Sequence, residues 1–423
     1  MSTALEGLRV IELASERTAF AGKLLADMGA DVIVVEPPGG DTTRGIGPFV
    51  GDEPGTERSL HWWYYNTSKR GVTLDLGSPR GRELLEGLVE RTDVLLEGED
   101  PGRLAELGLD WDRMHAVNDQ LVMTSITPFG RSGPRSEAPA TDLTLLAGAG
   151  PVWSCGYDDH TLPPIRGGGN QAFHTGAHWA AMATLVALLA RPELGRGQHI
   201  DVNLHAASNV STEAGSYHYL AVGDVVQRQT GRHASTTPSP QAQMQCADGR
   251  WLNTGIGFRR PAEFAGLCEW LETEGLAEAF PSMQALRSAA ARETIDMFAA
   301  RQDPELAALL ASGREAVAFL AEHLGAYEMF VGAQQRGLPM GIIYSPDEAL
   351  EDPHHVARGF PVEVEHDDLG RSVVYPGAPY RFEGTPWRIT SRAPHLSEHS
   401  DEILGSLGVS SDELAALRER GIV

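Results

Sequence analysis

The stretch LRVIELASERTAFAGKLLADMGADVIVV, Leu8 to Val35, decides the fold class. Leu8 to Leu13 reads as a strand, Phe20 to Met28 as a helix stopped by Gly29, and Asp31 to Val35 as a second strand. A β-α-β unit this compact implies a right-handed crossover and a parallel sheet. The turn after the first strand is Ala14-Ser15-Glu16-Arg17, and no G-x-G-x-x-G follows that strand. Dinucleotide binding of the Rossmann type is therefore disfavoured, although the topology is similar.

The same alternation continues outward. Val72 to Leu76, Val94 to Leu96 and Leu121 to Ile126 read as strands, separated by helices from Ser78-Pro79 to Glu90 and from Asp110 to Val117. This spacing argues for an α/β fold with a mainly parallel sheet. A Pro/Gly-rich loop, Pro128 to Pro139, leads to Thr141-Asp142, a helix start with a carboxylate in its first turn. The next informative stretch is GGGNQAFHTGAHWAAMATLVALLARPELGRGQHIDVNLHAA, Gly167 to Ala207. It opens on three glycines, carries two histidines four apart, and continues as a helix of about five turns that breaks at Pro192. Gly195-Arg196-Gly197-Gln198 then turns the chain into a short strand, His199 to Asn203. Glycines permit close backbone approach, and a helix start presents unpaired N–H groups, so this loop suits an anionic or carbonyl-bearing ligand.

Beyond it, Ser208 to Tyr219 reads as helical and His233 to Gln241 as a Ser/Thr/Pro linker. Met244 to Cys246 and Trp251 to Asn253 flank a hairpin turn. Apolar spacing of three and four from Pro261 to Leu324 marks a helical middle domain. Gly341 to Tyr344 is a short strand, Val362 to Glu365 and Ser372 to Tyr375 a hairpin around Leu369-Gly370, and two helices close the chain.

A chain of 423 residues favours two domains. With 58 acids against 34 bases the net charge is −24, which argues against nucleic acid or an anionic membrane as partner. Any phosphorylated ligand must then meet a locally basic site. Three cysteines without metal-ligand or C-x-x-C spacing read as reduced thiols. With no leader pattern and no membrane-length apolar run, the expected location is cytoplasmic.

In this order the segments LEGLRVIEL, LLADMGADVIVVEPPGGDTTR, NTSKRGVTLDLGSPRGRELL, DPGRLAELGLDW, GRGQHIDVNLHAA and GLPMGIIYSPDEALEDPHHVARGF resemble the family III CoA-transferases, the CaiB/BaiF group. That group includes formyl-CoA transferase, carnitine CoA-transferase and the α-methylacyl-CoA racemases. The resemblance implies a Rossmann-like large domain made from both chain ends, residues 1–224 and 331–423, and a smaller helix-rich domain between, residues 225–330. It implies an interlocked homodimer in which CoA or acyl-CoA is a substrate, with no permanently bound cofactor. It also implies that an aspartate takes the acyl group as a mixed anhydride and then carries CoA as a thioester to an acceptor carboxylic acid.

The chain departs from that pattern where the chemistry lies. The aspartate position falls on Ala172 or Phe173, and no acid occurs from Gly167 to Ala190. The racemases' His matches Thr141, with Asp142 beside it. The family's Gln-Ala-Gly-Pro turn aligns with Glu16-Arg17-Thr18-Ala19, a basic position with Pro37, an Asn-Phe pair with Gly98-Glu99, and an Arg with Glu106. Arg44, Lys69 and Arg70 remain for the CoA phosphates, with Gly168, Gly169, Asn170 and Gln171 as the loop on the ligand. His174 and Asp142 are the catalytic candidates. His174 reads either as a general base or nucleophile toward a thioester or as a polar cap of the helix start, and Asp142 either as an acid/base group or as a helix-start carboxylate. His178 shares a face with His174, but no Glu lies between them and no third ligand is evident, so no metal is expected. His205 reads as core packing, and Trp62-Trp63-Tyr64-Tyr65 as core or interface or as a purine-stacking cluster. Three functions fit: an acyl-CoA-processing transferase with an aspartate-independent mechanism, a non-catalytic subunit or binding protein of the same fold, or an enzyme acting on a non-CoA substrate.

Overall fold

The computed structural model describes residues 2–255, 258–296 and 299–423. The chain forms two compact units. One takes the chain up to Val152, Arg166–Glu213 and Leu350–Val423, and the other takes Trp153–Ile165 and Ala214–Ala349. The sequence reading gave the middle unit residues 225–330. In the structure Met340–Ile342 pairs antiparallel with Trp251–Thr254, which draws the chain as far as Ala349 into that unit. Trp153–Ile165 joins it too, through Trp153 Nε1 donating to the Val226 carbonyl at 2.8 Å and Arg228 donating to the Leu162 carbonyl at 2.9 Å.

The larger unit is built on strands β1 (Arg9–Leu13), β2 (Asp31–Glu36), β3 (Arg70–Thr73), β4 (Val94–Glu97), β5 (Val122–Thr127) and β6 (His199–Asn203). They form one six-stranded sheet in the order β3-β2-β1-β4-β5-β6, every neighbouring pair parallel. Side chains alternate between faces, so Ile11, Leu95 and Met123 pack with Leu84, Leu85, Leu88 and the C-terminal Leu404 and Leu417. Val10, Val94, Leu96 and Val122 pack on the other face with Leu25, Leu145, Ala177 and Ala180. Both faces are covered, which accounts for the near-continuous apolar runs of β4 and β5. The chain passes outward through β2 and β3 and returns to β4, so the sheet has its crossover between β1 and β4. Such a crossover opens a crevice at the carboxyl ends of the two strands, where ligands of open α/β sheets bind.

The longest helix, Gln171–Leu194, lies on that face. Small residues let it approach closely: a Cβ on Gly176 would stand 2.0 Å from Leu204 Cδ2. Thr184 hydrogen-bonds Thr124 of β5 at 2.8 Å. Among the described residues it is the one helix long and apolar enough to cross a membrane, but Ala172, Phe173, Ala177, Ala180 and Ala187 bury its inner face in the core. Gly197 in the turn beyond has a Cβ position 1.8 Å from the Leu121 carbonyl, a place only glycine fits.

The smaller unit holds an antiparallel three-stranded sheet with Trp251–Thr254 in the middle. Its helices Pro261–Thr273, Met283–Ala290, Pro304–His323 and Ala326–Gln335 enclose Phe264, Leu267, Trp270, Leu286 and Leu320.

Candidate active site

The site begins in the turn after β1. Thr18 Oγ1 donates to the Leu13 carbonyl at 3.0 Å, and Arg17 Nη1 reaches across the crossover to the Gly98 carbonyl after β4 at 2.7 Å. Between them Glu16 is half-buried, and its Oε1 accepts from Asn170 Nδ2 at 2.8 Å. Burial holds the Glu16 carboxyl above its ordinary range; the Asn170 bond works against that rise and the Asp142 charge adds to it.

Asn170 stands at the cap position of the long helix, but its side chain serves Glu16 and makes no cap. Asp142 supplies the cap instead. Its Oδ1 accepts from the Ala172 N–H at 2.8 Å, satisfying one of the first-turn donors, and its Oδ2 pairs with Arg166 at 2.8 Å. Arg166 also donates to the carbonyls of Gly167 at 3.2 Å and Gly169 at 2.7 Å, so it ties down the glycine loop. Gly168 and Gly169 face open space, and Gln171 Nε2 donates back to the Gly168 carbonyl at 3.3 Å. Both oxygens of Asp142 thus have structural partners.

His174 lies one turn into the helix. Its ring stacks on Phe20 at 4.2 Å between centroids, and its Nε2 shares a 2.6 Å hydrogen bond with Tyr65 Oη. Burial, then the neighbouring His178, push the imidazole below its ordinary pKa, against a smaller opposing effect of Asp142. It is neutral at pH 7. Burial raises the Tyr65 phenol, which stays protonated. Two hydrogen bonds therefore stand at this helix start, Asn170 with Glu16 and Tyr65 with His174. His178 points elsewhere, its Nδ1 donating to the His174 carbonyl at 2.7 Å. Among the described residues no group of three or more His, Cys, Asp or Glu is placed to hold a metal ion.

The three cations expected to meet CoA phosphates have other partners. Lys69 is fully buried: its ammonium lies 2.7 Å from Glu12 and donates to the Ala19 carbonyl at 2.9 Å and Asn66 Oδ1 at 2.8 Å. Those contacts enclose the ammonium in one ion pair and two hydrogen bonds. Gly22 makes the space, since a Cβ there would lie 1.7 Å from Glu12 Oε2. Arg44 is buried with a fork on Glu36 at 2.6 and 2.9 Å, a bond to Glu57 at 2.9 Å, and its plane 3.9 Å over Trp62. Arg70 pairs with Asp31 at 2.7 and 2.9 Å at the amino end of the sheet, away from the crevice. The reason is common to the first two. Strands β1 and β2 each carry a buried glutamate near their carboxyl ends, and a buried carboxylate requires a counter-charge. Lys69 and Arg44 are paired with those glutamates in the structure.

Of the expected site residues, the structure brings His174, Asp142, Asn170, Gln171, Gly168 and Gly169 together at one helix start. Arg44, Lys69 and Arg70 do not join them. Sequence reasoning missed Glu16 and Tyr65. Glu16 stood in view as an acid in the first turn after the first strand of a doubly wound sheet. Tyr65 was hidden in its aromatic cluster, whose Trp62 and Trp63 are core. His205 packs its ring near Phe129, 5.4 Å away.

The family model for CoA-transferase family III matches residues 5–400. Succinyl-CoA:(R)-benzylsuccinate CoA-transferase subunit BbsE of Thauera aromatica is 33% identical over 98% of this chain and 97% of the relative. Succinyl-CoA–D-citramalate CoA-transferase of Chloroflexus aurantiacus is 32% identical, covering 99% of this chain and 98% of the relative. Formyl-CoA:oxalate CoA-transferase of Streptomyces coelicolor is 31% identical over 99% of each. The crystal structure of a CaiB/BaiF family protein from Brucella suis superimposes with a TM-score of 0.76 at 28% identity, covering 96% of this chain and 100% of that one. With the crossover sheet, the glycine loop and the helix start in these positions, the chain belongs to the CoA-transferase family III.

Proposed function

We propose that this chain exchanges CoA between an acyl-CoA thioester and a carboxylic acid at the β1/β4 crevice, without an aspartate on the Gln171–Leu194 helix. The observation that carries this reading is the pairing of Glu16 with Asn170 and of Tyr65 with His174, on the helix start where the resemblance puts the family's aspartate. In this reading a neutral His174 does acid/base work beside the thioester. Asp142 acts on it by capping the same helix and through its charge. Succinyl-CoA is the donor to try first, because relatives from Thauera and Chloroflexus carry it in their names. The test is chromatographic: the purified protein is incubated with succinyl-CoA and a panel of dicarboxylic acids, and the new thioester is identified by mass. Failure to form any new thioester refutes the reading.

A second reading is favoured by the relatives named as subunits, BbsE and the α and β subunits of the L-malate enzyme of Chloroflexus aurantiacus. In it the chain is a partner subunit of a heteromeric transferase. The enclosure of Lys69 and Arg44 supports it. Calorimetry with free CoA separates the two: micromolar binding supports the first reading, and no binding supports the second. An interlocked homodimer is the assembly we propose, in the cytoplasm. Its support is the apolar stripe Trp179, Met182, Val186 and Leu189 on the outer face of the long helix, left 40 to 81% exposed.

A further inference from the structure

We infer that Glu16 is the nucleophilic carboxylate of this protein, taking the acyl group and then CoA from a loop instead of from the helix. The inference rests on the CoA-transfer reading above. Four observations carry it. Glu16 stands in the turn after β1, at the crossover where the sheet opens its crevice. One of its oxygens is fixed by Asn170 at 2.8 Å, and its Oε2 has no hydrogen-bond partner among the described residues, so it is oriented yet available. The other nearby acid of the helix start, Asp142, has both oxygens engaged by Ala172 and Arg166. Finally, the residues where an aspartate would be sought, Ala172 and Phe173, lie in the core at 0% and 8% exposure.

The steps balance without a further reactant. Glu16 Oε2 attacks the thioester carbonyl carbon; a C–O bond forms, the C–S bond breaks, and the electron pair leaves with the CoA thiolate. The product is a mixed anhydride. The thiolate attacks the Glu16 side-chain carbonyl, forming a glutamyl thioester and releasing the donor acid as its carboxylate. The acceptor carboxylate then attacks the glutamyl thioester and expels the thiolate, leaving an anhydride between Glu16 and the acceptor. Attack of the thiolate on the acceptor's carbonyl gives the new acyl-CoA and restores the Glu16 carboxylate. Oxygen-bearing groups and charge are the same at the end as at the start. Asn170 orients the carboxylate, and the Tyr65 hydroxyl holds the neighbouring His174 ring.

The full-length protein is incubated with succinyl-CoA, quenched in acid or trapped with hydroxylamine, and mapped by peptide mass spectrometry. Covalent CoA, or the hydroxamate formed from it, is expected on the peptide containing Glu16. Glu16→Gln keeps an oxygen to accept from Asn170 and is expected to fold with an unchanged melting profile. It should lose the adduct and at least ~10³-fold in turnover. Glu16→Asp should restore part of the labelling. A turnover in Glu16→Gln within ~10-fold of the parent, or an adduct on another residue such as Glu99, overturns the inference and leaves CoA transfer standing. Neither turnover nor adduct in the parent protein overturns both.

Discussion

Lys69→Met separates a structural cation from a ligand-binding one. In the structure the Lys69 ammonium and the Glu12 carboxylate are 2.7 Å apart, each with a fully buried side chain. Burial drives the lysine down and the glutamate up from their ordinary pKa values, and each partner's charge opposes the other's shift. Methionine fills much of the lysine stem's volume but leaves Glu12 buried beside Gly22 with no opposite charge. Breaking a buried pair from one side costs about 3–5 kcal/mol. Adding Glu12→Gln removes the stranded charge, keeps a side-chain oxygen for Thr18, and should recover most of that loss. The assay is a urea titration of the parent, the two single variants and the double variant, followed by calorimetric titration of CoA into each folded protein. The expected result is a large fall in unfolding midpoint for Lys69→Met, recovery in the double variant, and CoA affinity within ~2-fold of the parent. A phosphate ligand would behave otherwise: loss of a charge-assisted contact weakens binding about 10- to 100-fold. If Lys69→Met weakens CoA binding to that degree with an unchanged midpoint, the assignment of Lys69 as the counter-charge of Glu12 is refuted.

Turnover should be level above about pH 6.5, the ordinary histidine value, and should fall at a more acidic pH. Burial and His178 keep His174 neutral until the pH drops below that value. His174→Gln should remove the acidic limb, and a limb that persists assigns it to another group. The same lowered pKa makes folding favour the uncharged ring, so the associated stability is complete above the unfolded value and is lost as pH falls. Asp142→Ala removes the cap from the Ala172 N–H and the partner of Arg166, and should cost ~1–2 kcal/mol in denaturant unfolding; Asp142→Asn should cost less. Ala172→Asp, which restores an acid at the vacant position, should lower stability by at least ~2 kcal/mol because the site is fully buried and already faces the Asp142 carboxylate. A stable Ala172→Asp variant with increased transfer would show that the first turn can open to substrate.

The parts of the fold that were legible rest on local chemistry. The β-α-β unit from Leu8 to Val35 needs only apolar runs and Gly29, and the strands and helix form within a residue of the reading. The hairpin at Leu369-Gly370 and the pairing of Trp251 with Gln245 follow from turn residues in the same way. The strand expected at Val72 to Leu76 begins earlier, at Arg70, because Arg70 pairs in register with Ile33 and its charge is met by Asp31 across the strands. What could not be read is the fate of the charges. Glu12, Glu36 and Glu97 sit in strands where alternation suggests solvent, yet all three are buried against cations supplied from elsewhere in the chain. The site network has the same origin. Asn170 and Glu16 are 154 residues apart, and Tyr65 and His174 are 109 apart. No local pattern encodes such pairs; they exist only once the crossover has brought the first turn and the long helix to the same edge.

That distance also explains how an acid could leave the helix without emptying the site of charge. The resemblance gives the family a glutamine in the first turn and an aspartate at the helix start; this chain has Glu16 in the turn and alanine or phenylalanine at the start. The two positions face one helix N-terminus, whose dipole favours a negative charge whichever element carries it. A carboxylate in the turn satisfies that preference with one oxygen held by Asn170. A second one at 172 would share the Ala172 corner with Asp142 and, like it, would be buried. Once Asp142 caps the helix, the loop is the place left for a nucleophilic carboxylate, and the amide of Asn170 holds it there.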